Sequence, residues 1–139
     1  MRTVIAPLPP EVEAQLAALD ARLAGIARRY IRRLALEPRL GAPVLRGPLA
    51  AFGVRRIYFD RRSAPGDLLR SRAPAARRGN QDLATGPRWR IVYWVEEAPR
   101  AGVRLIVVLA VGEAHPRPPR PTVYELAWTT LAALLRRKP

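Results

Sequence analysis

The chain has 139 residues and a formal net charge of +14, with 24 arginines, one lysine (Lys138), one histidine (His115) and no cysteine. That length suits one domain with its own core, and the missing thiols exclude disulfides and thiolate metal sites. No run reaches the roughly 18 apolar residues of a membrane span and no charged-then-apolar leader opens the chain, so a cytoplasmic protein is expected, without a membrane partner. The charge favours a polyanionic partner, nucleic acid first, although an arginine-rich genome explains the same bias.

Thr3–Ala6 reads as a short edge strand stopped by Pro7, Pro9 and Pro10. Pro10 suits the first turn of a helix over Glu11–Leu19. Asp20 is the expected N-cap of a second helix reaching about Leu36, where Pro38 disfavours further helix. Leu19, Leu23, Ile26, Tyr30 and Leu34 make its apolar stripe, with Arg22, Arg28, Arg29, Arg32 and Arg33 opposite. Residues 40–52 are turn-rich. Val54–Asp60 then alternates as a strand, with Ile57 and Phe59 on one face and Arg56 and Tyr58 on the other. The next strand, 88–97, divides the same way: Ile91, Tyr93 and Val95 against Arg90, Val92 and Trp94. A turn over Glu96–Gly102 leads to Val103–Val111, apolar on both faces as an interior strand should be. Thr122 and Glu125 have capping-box spacing and open a last helix reaching about Arg137.

The chain therefore reads as a single α+β domain over residues 1–139: an N-terminal helical hairpin packed on the apolar face of a small, twisted, mostly antiparallel sheet, plus a C-terminal helix. Residues 61–87 stand apart. They carry six arginines, three prolines and three glycines, and read as a mobile, basic insertion or a flap over nucleic acid.

The ordered pieces Leu45-Arg-Gly47, Arg56-Ile-Tyr-Phe-Asp60, Trp89-Arg-Ile-Val-Tyr93, Val107-Val-Leu-Ala-Val-Gly112 and Val123-Tyr-Glu-Leu-Ala127 together resemble the RelE/ParE superfamily of bacterial type II toxins. The resemblance spans the chain apart from 61–87 and 113–119. It implies a toxin held inactive by a cognate antitoxin, whose RelE-like members cut mRNA on the ribosome and whose ParE-like members instead inhibit DNA gyrase. It places a catalytic strand arginine at Arg90 and a catalytic tyrosine at Tyr124. Arg120 or Arg117 stands for a further cation after the strand-ending glycine. Arg56, Tyr58, Arg55 and His115 fall where the RNA would be held, with a tyrosine at Tyr58 where the pattern has a second cation. A neutralising partner would carry an acidic or amphipathic segment.

The residue types fit such chemistry without it. Metal-free RNA cleavage needs the 2′-hydroxyl to attack the adjacent phosphorus while charge grows on the non-bridging oxygens, and fixed guanidiniums stabilise that charge. A tyrosine ionises near ~10, so Tyr124 acts as a base only among cations; otherwise it stacks on a nucleobase. His115 has the side chain suited to proton transfer near neutrality but sits in a proline-rich link. No cofactor and no metal are expected. The expected function is a ribosome-dependent endoribonuclease that inhibits translation. The alternatives are a gyrase-blocking or catalytically silent member, or a general basic ribosome- or RNA-binding module.

Overall fold

The computed structural model describes residues 2–63, 88–98 and 101–137. Their elements run β1 (Arg2–Ile5), α1 (Pro10–Ala17), α2 (Ala21–Arg33), β2 (Ala42–Pro43), a 3₁₀ turn (Pro48–Phe52), β3 (Arg55–Phe59), β4 (Trp89–Ala98), β5 (Val103–Glu113) and α3 (Val123–Arg137). The fold is α+β, with three helices and one five-stranded mixed sheet in the order β1-β5-β4-β3-β2. From residue 64 on, the expected basic insertion lies outside the described residues.

Start and stop chemistry sets the helices much as the sequence predicts. Pro10 opens α1, where its missing N–H is not needed. The Asp20 carboxylate caps α2 by accepting from the Leu23 amide at 2.9 Å. At α3 the capping box closes in both directions: Thr122 N donates to Glu125 Oε1 (2.9 Å) and Glu125 N to Thr122 Oγ1 (3.1 Å). Thr122→Ala is therefore expected to lower stability by about 1 kcal/mol, read as a shifted midpoint in urea unfolding.

Two features correct the expected layout. The helices do not open the chain, because β1 precedes them and pairs parallel with β5, which makes the sheet mixed. Nor does the sheet have a single covered face. On one side Val12 and Leu16 of α1 and Leu23, Ile26 and Tyr30 of α2 pack on Ile57, Phe59, Ile91 and Tyr93. On the other, Val123, Ala127 and Leu131 of α3, with Leu49 of the 3₁₀ turn, pack on Val92, Leu109 and Ala110. The physical reason is that β4 and β5 are apolar on both faces there, and both must leave water.

A β-bulge sets the end of the sheet that matters below. Val92 pairs with Ala110 but Tyr93 pairs with Val108, so Leu109 is the extra residue on β5. Leu109 and Ala110 both join the α3 side, while Val108 and Val111 face α1 and α2. The Val111 amide donates to Gln15 Oε1 of α1 at 2.8 Å. The bulge thus fixes where β5 ends, with Gly112 directly across from Arg90.

The arginines of α2 lie on its exposed side. Two have carboxylate partners there, Arg28 with Glu13 and Arg33 with Glu37, each at 3.2 Å. Among the described residues, no helix is long and apolar enough to cross a membrane.

Candidate functional site

Strand alternation and register bring Arg56, Tyr58 and Arg90 onto one face of the sheet. Arg56 pairs with Val92 and Tyr58 with Arg90 across β3–β4, and Arg90 pairs with Gly112 across β4–β5. Residues directly opposite share a face, so Tyr58, Arg90 and Gly112 form a row across three strands. Gly112 has no side chain, and the start of α3 packs over it, with Val123 3.7 Å from where a Cβ would stand. Tyr124, in the first turn of α3, stands close enough to Arg90 for its phenol to act on the guanidinium charge.

The group is tight. The Arg90 guanidinium carbon lies 4.0 Å from the centre of the Tyr58 ring, and that of Arg56 lies 5.4 Å from it. Arg90 is only 9% exposed and also donates through Nη1 to the Trp89 carbonyl at 3.2 Å. Burial pulls its pKa below the ordinary arginine range, and the neighbouring Arg56 charge acts the same way. The Tyr124 and Tyr58 phenols oppose that shift. An arginine keeps its proton regardless, so the site holds a fixed, partly desolvated cation. The Arg56 Nε is buried and has no hydrogen-bond partner among the described residues. Two guanidiniums and two phenols in one partly desolvated group have the chemistry to hold an anion such as a phosphate.

The other sequence-predicted residues go elsewhere. Arg55 donates to the Gly41 carbonyl at 2.8 Å and the Arg39 carbonyl at 3.4 Å, so its side chain ties the β2 corner to β3. His115 and Arg117 are exposed in the link before α3. Arg120 is exposed as well and lines a separate cleft.

That cleft, of about 390 Å³, opens at the same end of the sheet on its other side. The strand parity that turns Arg90 toward α3 turns Trp89 toward α1 and α2, and Trp89 is one wall of the cleft. Arg61 and Arg88 each place a guanidinium carbon 5.3 Å from the Trp89 ring centre. Arg61 also pairs with Asp20, donating from Nε at 2.9 Å. The cleft escaped the sequence reading because its residues come from distant stretches with no shared motif. One signal was present: Gln15 interrupts the apolar stripe of Val12, Leu16 and Leu19, and a polar residue there needs a partner.

The Leu23 amide and then Arg61 hold the Asp20 carboxyl below the usual carboxylate range. Because the folded value is depressed, its contribution is complete above the unfolded value and is lost as pH falls through the folded one. Asparagine also caps helices but carries no charge. The wild type is therefore expected to be more stable than Asp20→Asn at neutral pH, with the gap closing on acidification. Thermal unfolding across a pH series checks this.

Comparison of the chain with protein-family models, with curated proteins and with solved structures finds no match. Among the described residues no group of three or more histidine, aspartate or glutamate side chains is placed to hold a metal ion.

Proposed function

We propose that this chain is a RelE-like toxin of a type II toxin–antitoxin system, an endoribonuclease that cuts mRNA on the ribosome. One observation carries the reading: Tyr124 lies beside the buried Arg90, over the same sheet face as Tyr58 and Arg56. The resemblance named Arg90 and Tyr124 from pieces of sequence 34 residues apart. Their meeting in one anion-binding group supports it.

In this reading the scissile phosphate enters beside Arg90. The 2′-hydroxyl oxygen bonds to phosphorus as the bond to the 5′ oxygen breaks, which leaves a 2′,3′-cyclic phosphate and a 5′ oxygen that takes a proton from water to become a hydroxyl. Arg90 stabilises the charge on the non-bridging oxygens. Tyr124 takes the 2′-hydroxyl proton or stacks on the adjacent base. Arg56 and Tyr58 position the backbone, with Arg56 as the second cation of the group. A cognate antitoxin with an acidic segment neutralises the basic surface in the resting cell.

The test is a translation reaction programmed with a defined mRNA and read by primer extension. New 5′ ends inside the reading frame that require ribosomes are the expected result. A second reading, a member that acts by binding alone, draws on the near-complete burial of Arg90 under the Tyr58 ring. It predicts intact mRNA, with either stalled ribosomes or, for a ParE-like target, inhibited supercoiling by gyrase.

A further inference from the structure

The cleft beside Trp89 has the makings of a ligand site in its own right. It draws walls from α1, the start of α2, Arg61 just after β3, Trp89 at the start of β4, the end of β5, the link before α3 and Leu126 of α3 itself. Its volume lies within the range of small-molecule sites, and Leu19, Leu23, Val111 and Leu126 give it an apolar lining. Several of its polar groups are already committed. Asp20 is taken by the Leu23 amide and Arg61, and Gln15 Oε1 by the Val111 amide.

What remains open is a small, defined set. Gln15 keeps its two Nε2 donors, and among the described residues the Arg120 guanidinium has no partner. Glu113 has a side chain 21% exposed, and among the described residues its one ion pair is a loose 3.5 Å approach of Arg88 to Oε1. The open groups are thus amide and guanidinium donors and one carboxylate acceptor, set among apolar walls. A phosphate fits this poorly, because Asp20 and Glu113 both line the walls and would repel it. A planar heterocycle that offers acceptors on one edge and N–H donors on another fits well.

We infer that this cleft binds a nucleobase, guanine in preference to the others. Guanine alone presents two adjacent N–H donors, N1 and N2, to a carboxylate while O6 and N7 accept from a guanidinium. The inference rests on the proposed function only in taking the base to belong to RNA. Trp89 and Arg90 are consecutive on β4 and face opposite sides, so a strand gripped at Arg90 can turn a neighbouring base around the sheet end into the cleft.

The experiment is calorimetric titration of the full chain at moderate salt with GMP, AMP, CMP, UMP and inorganic phosphate. GMP should bind saturably and at least about tenfold more tightly than the other three, and phosphate should not displace it. Glu113→Gln, which keeps the side-chain size, should abolish that preference in a protein whose circular dichroism is unchanged. A uridine oligomer with one guanosine should compete with GMP, and the same oligomer without it should not; competition by GMP alone would make the free nucleotide the ligand. Equal affinity for all four nucleotides, displacement by phosphate, or an intact preference in Glu113→Gln would overturn the inference. The two proposals fail separately: ribosome-dependent cleavage without guanine binding removes the cleft, and guanine binding with uncut mRNA removes the nuclease.

Discussion

Arg90→Lys is expected to lower ribosome-dependent mRNA cleavage by about 10²–10³-fold, the loss typical of removing one aligned donor from a developing oxyanion. The substitution keeps the positive charge, so the loss isolates geometry from charge. The guanidinium carbon lies 4.0 Å from the Tyr58 ring centre, and a planar, delocalised cation suits both that ring and a phosphate. An ammonium offers a point charge and no plane to stack. Tyr124→Phe separates the roles of its partner. A large loss from removing the hydroxyl alone assigns it the proton, whereas a small loss assigns the ring to base stacking. Primer extension on a defined mRNA reads both variants, with melting temperatures confirming that each is folded. Wild-type cleavage rates in Arg90→Lys would sink the nuclease reading, because no other described cation is both buried and joined to Tyr124.

The contrast between what the residues announced and what they hid follows from the range of each interaction. Local chemistry was legible. Asp20 caps α2, Thr122 and Glu125 box α3, and the alternation of Ile57 and Phe59 with Arg56 and Tyr58 sets the faces of β3. The pairing of Arg90 with Tyr124 came from the resemblance; parity and the capping box fixed only the sheet face of Arg90 and the place of Tyr124 in the first turn of α3. Features created by pairing register were not. The bulge at Leu109 lies in an unbroken apolar run where either neighbour could be the extra residue. It decides that Val111 faces α1 and that Gln15 satisfies its amide. The two-residue β2 contains Pro43 and reads as a turn. Arg55, one of the expected RNA contacts, is engaged by carbonyls of residues 39 and 41, which nothing in its own strand signals.

Gly41→Ala is expected to cost about 3 kcal/mol, at the upper end of core overpacking, because its new atom meets backbone rather than a side chain that can turn away. A Cβ there would stand 2.5 Å from the Arg56 carbonyl oxygen, 2.9 Å from its carbon and 3.0 Å from the Tyr93 ring. Relief requires β2 to move off β3, and that movement breaks a second set of bonds. The Tyr93 hydroxyl accepts from the Gly41 amide at 2.9 Å and donates to the Pro38 carbonyl at 2.8 Å, and the Gly41 carbonyl accepts from Arg55. Tyr93 is fully buried, so a phenol stripped of these partners has no water to replace them. Thermal unfolding should show a melting temperature lower by about 10 °C. Tyr93→Phe removes the hydroxyl without the clash and should cost about 1–3 kcal/mol, mostly through the orphaned Gly41 amide. The two changes act on one contact, so the double variant should lose less than the sum of the singles. Full additivity would mean that Gly41 and Tyr93 are held independently. Gly41→Ala should also weaken cleavage more than its stability alone dictates, since Arg56, whose carbonyl the new methyl displaces, stands beside Tyr58 in the site.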